Sequence, residues 1–259
     1  MSFNFLYKPE ILGKQYSVKE ISFYEYKNVV KSIIETDALI VSEVFENFLK
    51  FLCPNLNNVT NLEKFLLLIK VRTLILGRNV EFVSNDVKIV YDVNNVFNFF
   101  NKKFPLFEYT FGNNNFKLSL PTTMLPKSDN IFDLVLDCIY SINDEVIQKD
   151  EKLEIINKLP ALPIVDIYTK LIQYYNSVSI KIQHLDYTLT PFNDSFLSFT
   201  RSIYMYDLKN LYDLEYSLRR NLNLTSQDFN SLSLPECEIF LKNYQKEIET
   251  FNNQAAKVE

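Results

Sequence analysis

Chemistry at neutral pH requires ionisable or nucleophilic side chains that converge, and three sets in the chain have types and spacings worth testing. His184 is the single histidine, set among the alternating residues 178–189 on the polar phase beside Lys181 and Gln183. A serine–histidine–acid relay would need it, yet no serine lies in the Gly-x-Ser-x-Gly turn that exposes a nucleophile. It reads as an exposed or hydrogen-bonded strand residue. Asp129, Asp133 and Asp137 recur every four residues, with Asp144 and Glu145 following. On a helix this spacing aligns the carboxylates on one face, which could bind a divalent cation. One helix supplies only one side of a coordination shell, and acids in a first turn already complement the helix dipole. A solvated acidic face is the expectation. A small metal-dependent enzyme using Asp133, Asp137 and a distant acid is the alternative.

Cys53, Cys138 and Cys237 are odd in number and too far apart for a disulfide framework. They read as buried, small apolar residues in a reducing compartment. With one histidine and no paired cysteines, structural zinc would have to rest on carboxylates alone, which is rare. No catalytic residue, metal ligand or cofactor follows from these sets.

Composition narrows the classes further. The three glycines, Gly13, Gly77 and Gly112, are isolated, so no glycine-rich loop can wrap a phosphate. The net charge of −5, from 27 basic and 32 acidic residues, gives nucleic acid no broad positive surface. Lys102-Lys103 and Arg219-Arg220 are the strongest basic pairs and read as solvated helix ends or loops. With 22 Phe and 16 Tyr, rings fall beside bases by chance, so base stacking is not implied and nucleic-acid binding ranks second among the alternatives. Tyr204, Tyr206 and Tyr212 read as a helix–helix contact or a protein interface. The abundance of Asn, Lys, Ile, Phe and Tyr is what an AT-rich genome encodes. Residues 62–76 are the most apolar run, but they are too short to cross a bilayer and contain Glu63, Lys64, Lys70 and Arg72. The N-terminus lacks the order of a signal peptide. A soluble intracellular protein without membrane or nucleic-acid partners is expected.

The elements that must position these residues are short and varied. Apolar content of 47% over 259 residues supports one sizeable core or two small ones in contact. Residues 11–23 pattern as two strands turning at Gly13-Lys14. From 24 to about 52 two helical stripes follow, ended by Pro54. Thr60 or Asn61 caps a helix that runs to Gly77 and is apolar almost all round, as befits the centre of a fold. Arg72 and Arg78 complement its C-terminal dipole. Hairpins follow across Ser84-Asn85-Asp86 and across 112–115, with 92–103 open between helix and strand. Helices are then expected at 128–142 (capped by Ser128 or Asp129), 150–159 and 163–175, then one strand at 178–189, then helices at about 192–204, 207–222 and 225–251, the last interrupted near Leu234. The fold class is α+β. Residues 1–121 hold short antiparallel hairpins around a buried helix and 122–259 are mainly helical, as two modules or one continuous domain.

The tail is the most strongly patterned part. Ser233-Leu234-Pro235-Glu236 has the spacing of a capping box. Behind it Leu234, Cys237, Leu241, Tyr244, Ile248 and Phe251 repeat at intervals of three and four. That seam must pack, either on the preceding helix through Leu208, Leu211, Leu214, Leu218 and Leu222, or on a second chain as a homo-oligomer.

Three stretches, in order, resemble the baseplate hub assembly proteins of T-even-type contractile-tailed bacteriophages. KQYSVKEISFYEYKNVVKSI (14–33) is similar to the family's opening strand pair and first amphipathic helix. NLEKFLLLIKVRTLILGRNVEF (61–82) resembles its central buried helix, ending in glycine and a basic residue before a hairpin. LKNLYDLEYSLRRNLNLTSQDFNSLSLPECEIFLKNYQKEIE (208–249) is most like the family, with helix, capped turn and final helix in succession. Residues 104–183 match only in the order of elements, and 79–91 contain no cysteine, so a metal-stabilised hairpin would not apply. The resemblance implies a non-enzymatic protein, a structural component or chaperone, needed to build the tail hub. It would bind other tail or baseplate hub proteins in the cytoplasm of an infected host, or in the virion baseplate. Tyr212, Tyr216, Phe229, Leu234, Pro235, Phe240 and Tyr244 are the expected contact surface.

Overall fold

The computed structural model describes residues 7–34, 37–56, 59–84, 87–102, 107–126, 130–146, 149–182 and 187–255. It opens on a hairpin of β1 (Glu10–Ile11) and β2 (Lys14–Gln15). The turn is Leu12-Gly13, one residue earlier than the sequence implied, and both residues take left-handed angles (φ 53° and 78°). Leucine is an unusual occupant of that region. Its amide donates to Asn101 Oδ1 at 2.7 Å, which fixes the turn from outside.

Caps start the next three helices. Ser22 and Glu25 form a reciprocal box at α1 (Phe23–Ser32), and Asp37 caps α2 (Ala38–Leu52), which stops short of Pro54. Thr60 and Glu63 form a second box at α3 (Asn61–Leu76), and Gly77 ends it at φ 76°. Leu62 and the run from Phe65 through Ile69 are fully buried, as a helix without a polar face must be. Arg72 is buried as well and donates to the Gly77 carbonyl at 2.5 Å, satisfying an orphan acceptor at the helix end.

The hairpin of β3 (Asn79–Ser84) and β4 (Val87–Asp92) pairs Val80 with Tyr91 and Phe82 with Ile89. Asn85 and Asp86 of the expected turn lie outside the described residues. The open choice at 92–103 resolves as α4 (Asn94–Phe100), which buries Val96, Phe97 and Phe100. β5 (Phe107–Phe111) and β6 (Asn114–Leu118) turn at Gly112-Asn113, so Asn114 and Asn115 belong to a strand rather than to a four-residue loop. Gly112 at φ 58° supplies the left-handed residue of a tight hairpin.

The expected helix over 128–142 is shorter. Ser128 and Asp129 lie outside the described residues, and Asn130 caps α5 (Ile131–Cys138). Residues beyond it form β7 (Ile139–Ile142), antiparallel to β6. A run of four residues with isoleucine at both ends has no period to separate strand from helix, and the open edge of β6 decides it. Next come α6 (Lys149–Asn157) and α7 (Ala161–Tyr175), with Pro163 in a first turn as expected, then a 3-10 turn. The single strand expected at 178–189 is a hairpin of β8 (Ile180–Ile182) and β9 (Tyr187–Leu189). His184 lies outside the described residues.

The two helices expected at 192–204 and 207–222 are one, α8 (Ser195–Leu222). Neither proline nor glycine interrupts the junction, and the buried stripe continues through Ile203 and Tyr204 to Leu211. α9 (Ser226–Ser231) carries a Thr225–Asp228 box. At α10 (Leu234–Ala255) the Ser233 amide donates to Glu236 at 2.8 Å and the Glu236 amide to Ser233 Oγ at 3.4 Å, the box that the sequence spells.

The centre is aromatic. Phe65 of α3 stacks on Phe196 of α8, centroids 4.1 Å apart and planes 2° from parallel, with Phe100 edge-on to both. One cluster of buried residues draws on both halves of the chain. Bonds cross the 121/122 boundary as well, Asn61 Nδ2 to Pro191 O at 2.5 Å and Lys64 Nζ to Thr122 O at 2.7 Å. The boundary therefore marks a change of secondary structure within a shared core, and the fold is α+β.

Candidate functional site

The acidic face does not assemble a shell. Asp137 accepts from the Thr122 amide at 3.0 Å, the Thr122 hydroxyl, the Thr123 amide at 3.1 Å and the Thr123 hydroxyl at 2.9 Å. Four donors saturate a carboxylate, and these tie the 121–126 segment to α5. Asp133 accepts from Asn130 at the cap, Asp144 pairs with Lys117, and Asp129 lies outside the described residues. Among the described residues no three His, Cys, Asp or Glu side chains come together as a metal site.

The cysteines are buried, as expected. Burial raises the Cys53 thiol to about 11 and the Cys237 thiol to about 12, and pushes Cys138 well above its usual value. Thiolate chemistry is thereby suppressed at neutral pH. The sequence reading overlooked Glu63, whose buried carboxylate accepts from Lys14 Nζ at 2.6 Å and Tyr16 Oη at 2.7 Å as well as from its cap. The spacing Thr60-x-x-Glu63 was the available signal. Burial opposes its charge, but the donors from Lys14, Thr60 and Tyr16 outweigh burial and hold its pKa below the usual value. The site is saturated from within the chain, so it fastens the first hairpin to α3.

The C-terminal helices carry the expected contact residues, in different states. Tyr212 and Tyr216 on α8 and Phe240 on α10 are exposed, and Tyr244 is half-buried. Phe229 is corrected to a core residue. It is fully buried, with its ring edge-on to Phe23 at 4.4 Å, and offers no surface to a partner. The backbone of Leu234 and Pro235 opens α10, but their side chains lie outside the described residues. The seam of α10 divides. Cys237 is buried and Leu241 packs against the core, as does the facing stripe of Leu208, Leu211, Leu214, Leu218 and Leu222, so the near part is intramolecular. Tyr244 is the last half-buried residue described on the helix, and residues 245–250, Ile248 among them, are exposed.

Cations surround the two tyrosines, which sequence reasoning did not foresee. Lys27 and Lys31 of α1 approach the Tyr212 ring, at 4.2 and 5.7 Å from its centroid. Arg220 lies 5.9 Å from the Tyr216 centroid and donates to its hydroxyl at 3.1 Å. Lys27 and Arg219 share Glu215. Arg219 and Arg220 lie in the last turn of α8, the helix end that the sequence implies, and there join a mixed ring-and-cation surface. A second unforeseen stripe is Leu162, Val165 and Ile172 on the outer face of α7, all exposed and legible as a three-and-seven spacing.

No family model, curated protein or solved structure matches the chain. No helix among the described residues is long and apolar enough to cross a membrane.

Proposed function

We propose that this α+β protein is a non-enzymatic assembly factor of a contractile phage tail, binding baseplate hub or tail components through its C-terminal helices. The observation that carries the reading is the exposure of Tyr212, Tyr216 and Phe240 on helices whose opposite faces are fixed to the core. Rings held on a rigid helix lose little entropy on docking and are enriched among residues that dominate binding energy. The resemblance of 14–33, 61–82 and 208–249 to the hub assembly family supplies the partner class. The saturated carboxylates and buried thiols leave surface matching as the mechanism with most support. The body would hold a hub or tail-tube protein in place until its neighbours dock.

Co-expression of the tagged chain with each tail protein of the source genome, followed by size-exclusion chromatography, tests this. A stoichiometric complex with a hub or tail-tube component is expected. Recovery of the chain alone from every pairing overturns the proposal. Probing purified particles with an antibody to the chain then separates a virion component from a released chaperone.

A further inference from the structure

The Tyr212–Tyr216 surface carries charge of the sign opposite to the chain as a whole. Lys27, Lys31 and Arg220 lie against the two rings, and Arg219 joins them through the carboxylate of Glu215. Glu215 is shared between Lys27 and Arg219, while Lys31 and Arg220 form no ion pair among the described residues. Arg219 Nε is buried with no hydrogen-bond partner. Asp213 is the other acid on this stretch of α8, exposed and three residues before Tyr216 on the same side of the helix. Four cations to two carboxylates is a local positive excess on a chain of net charge −5.

Resting on the assembly reading, we infer that this surface is the docking site for an acidic, amphipathic segment of the partner protein. Carboxylates of that segment pair with Lys31 and Arg220, and its apolar side chains lie along the exposed edges of Tyr212 and Tyr216. Charge complementarity of this kind steers encounter and fixes register. A protein segment fits better than a nucleic acid. The Tyr212 ring is already engaged by two lysines, which leaves it ill placed for base stacking, and the chain's overall charge repels a polyanion.

The test uses the full chain and a fluorescein-labelled amphipathic helical peptide with a glutamate polar face and a leucine apolar face. Controls are the same peptide with glutamine or lysine in place of glutamate, and a single-stranded DNA oligonucleotide. The glutamate peptide is expected to bind and to weaken with salt. The double variant K31Q/R220Q, both positions exposed and remote from the core, should weaken it about tenfold. The reversal K31E/R220E should transfer preference to the lysine peptide. The inference is overturned if the glutamate peptide fails to bind, if the glutamine peptide binds as well, if K31Q/R220Q leaves affinity unchanged, or if DNA binds more tightly with the same residue dependence. Repeating the tail-protein co-expression with K31Q/R220Q separates the two readings. A complex that survives the substitutions sinks the acidic-segment inference and leaves the assembly function standing. Glutamate-peptide binding by a chain that captures no tail protein does the reverse.

Discussion

The phenol of Tyr204 donates to the carbonyl oxygen of Leu68 across 2.9 Å, deep in the core, and so pins α8 to α3. Leu68 sits mid-helix, where its carbonyl also serves the helical ladder, so the phenol adds a second donor to one acceptor. Tyr204→Phe should cost about 1 kcal/mol, the net worth of a neutral hydrogen bond. Tyr204→Ala should cost about 3–5 kcal/mol, because the ring also packs on Tyr26 and Phe45. Urea unfolding at constant m-value measures both. A Phe variant as stable as the parent would show that the bond contributes nothing.

Glu63 predicts a pH dependence. Its donors make the folded carboxyl more acidic than the unfolded one, whose ordinary value is 4.5. The stabilisation is therefore complete above that value and fades as pH falls through the lowered folded value, since the unfolded chain takes up the proton first. Glu63→Gln should cost about 1–3 kcal/mol at neutral pH, leaving Tyr16 and the Thr60 cap poorly matched. The gap between variant and parent should narrow in acid. Denaturant titrations over an acid pH series check this, and a gap independent of pH would refute the charge-based account.

The thiols should behave alike. Burial raises all of Cys53, Cys138 and Cys237, so each is both protonated and screened in the native chain. Iodoacetamide at neutral pH should leave the folded protein unmodified and label all three after denaturation, read by intact mass. Rapid native labelling of any one would place it at the surface.

Asp137 is predicted to act in the fold. Asp137→Ala removes the acceptor for two amides and two hydroxyls of Thr122 and Thr123 and should cost about 2 kcal/mol by thermal or urea unfolding. Asp133→Ala loses its bond to the exposed Asn130 cap and should cost less, about 1 kcal/mol. Equal effects would contradict this division.

What was readable in the sequence was local and periodic. The Ser233–Glu236 box, the all-apolar α3 and the hairpin at Val80–Tyr91 each follow from spacings within a few residues. What was hidden depended on distant parts of the chain. Leu12 takes a left-handed turn because Asn101, far along the chain, receives its amide. Residues 139–142 are a strand because β6 offers an edge, and nothing within the run distinguishes this from a continued helix. The ring-and-cation surface escaped notice because Lys27 and Lys31 reach Tyr212 from α1. Phe229 looked available because an aromatic residue in a short helix reveals nothing of Phe23 behind it.

The division of the α10 seam is the prediction most directly tied to function. Leu218 is buried on α8, Leu241 of α10 packs against the core, and Ile248 is exposed about two turns further on. Leu218→Ala should cost about 2–5 kcal/mol, since it opens a cavity in the core. Leu241→Ala should cost about 1–2 kcal/mol in proportion to its partial burial. Ile248→Ala should change stability by about 0.5 kcal/mol or less, because its exposed side chain has little to lose. Hydrogen exchange should show the same gradient, with amides near Cys237–Leu241 protected and those beyond Tyr244 exchanging through fraying. If Ile248→Ala destabilises the isolated chain as much as Leu241→Ala does, the far seam is folded onto the body, and that length of α10 is not free to meet a partner.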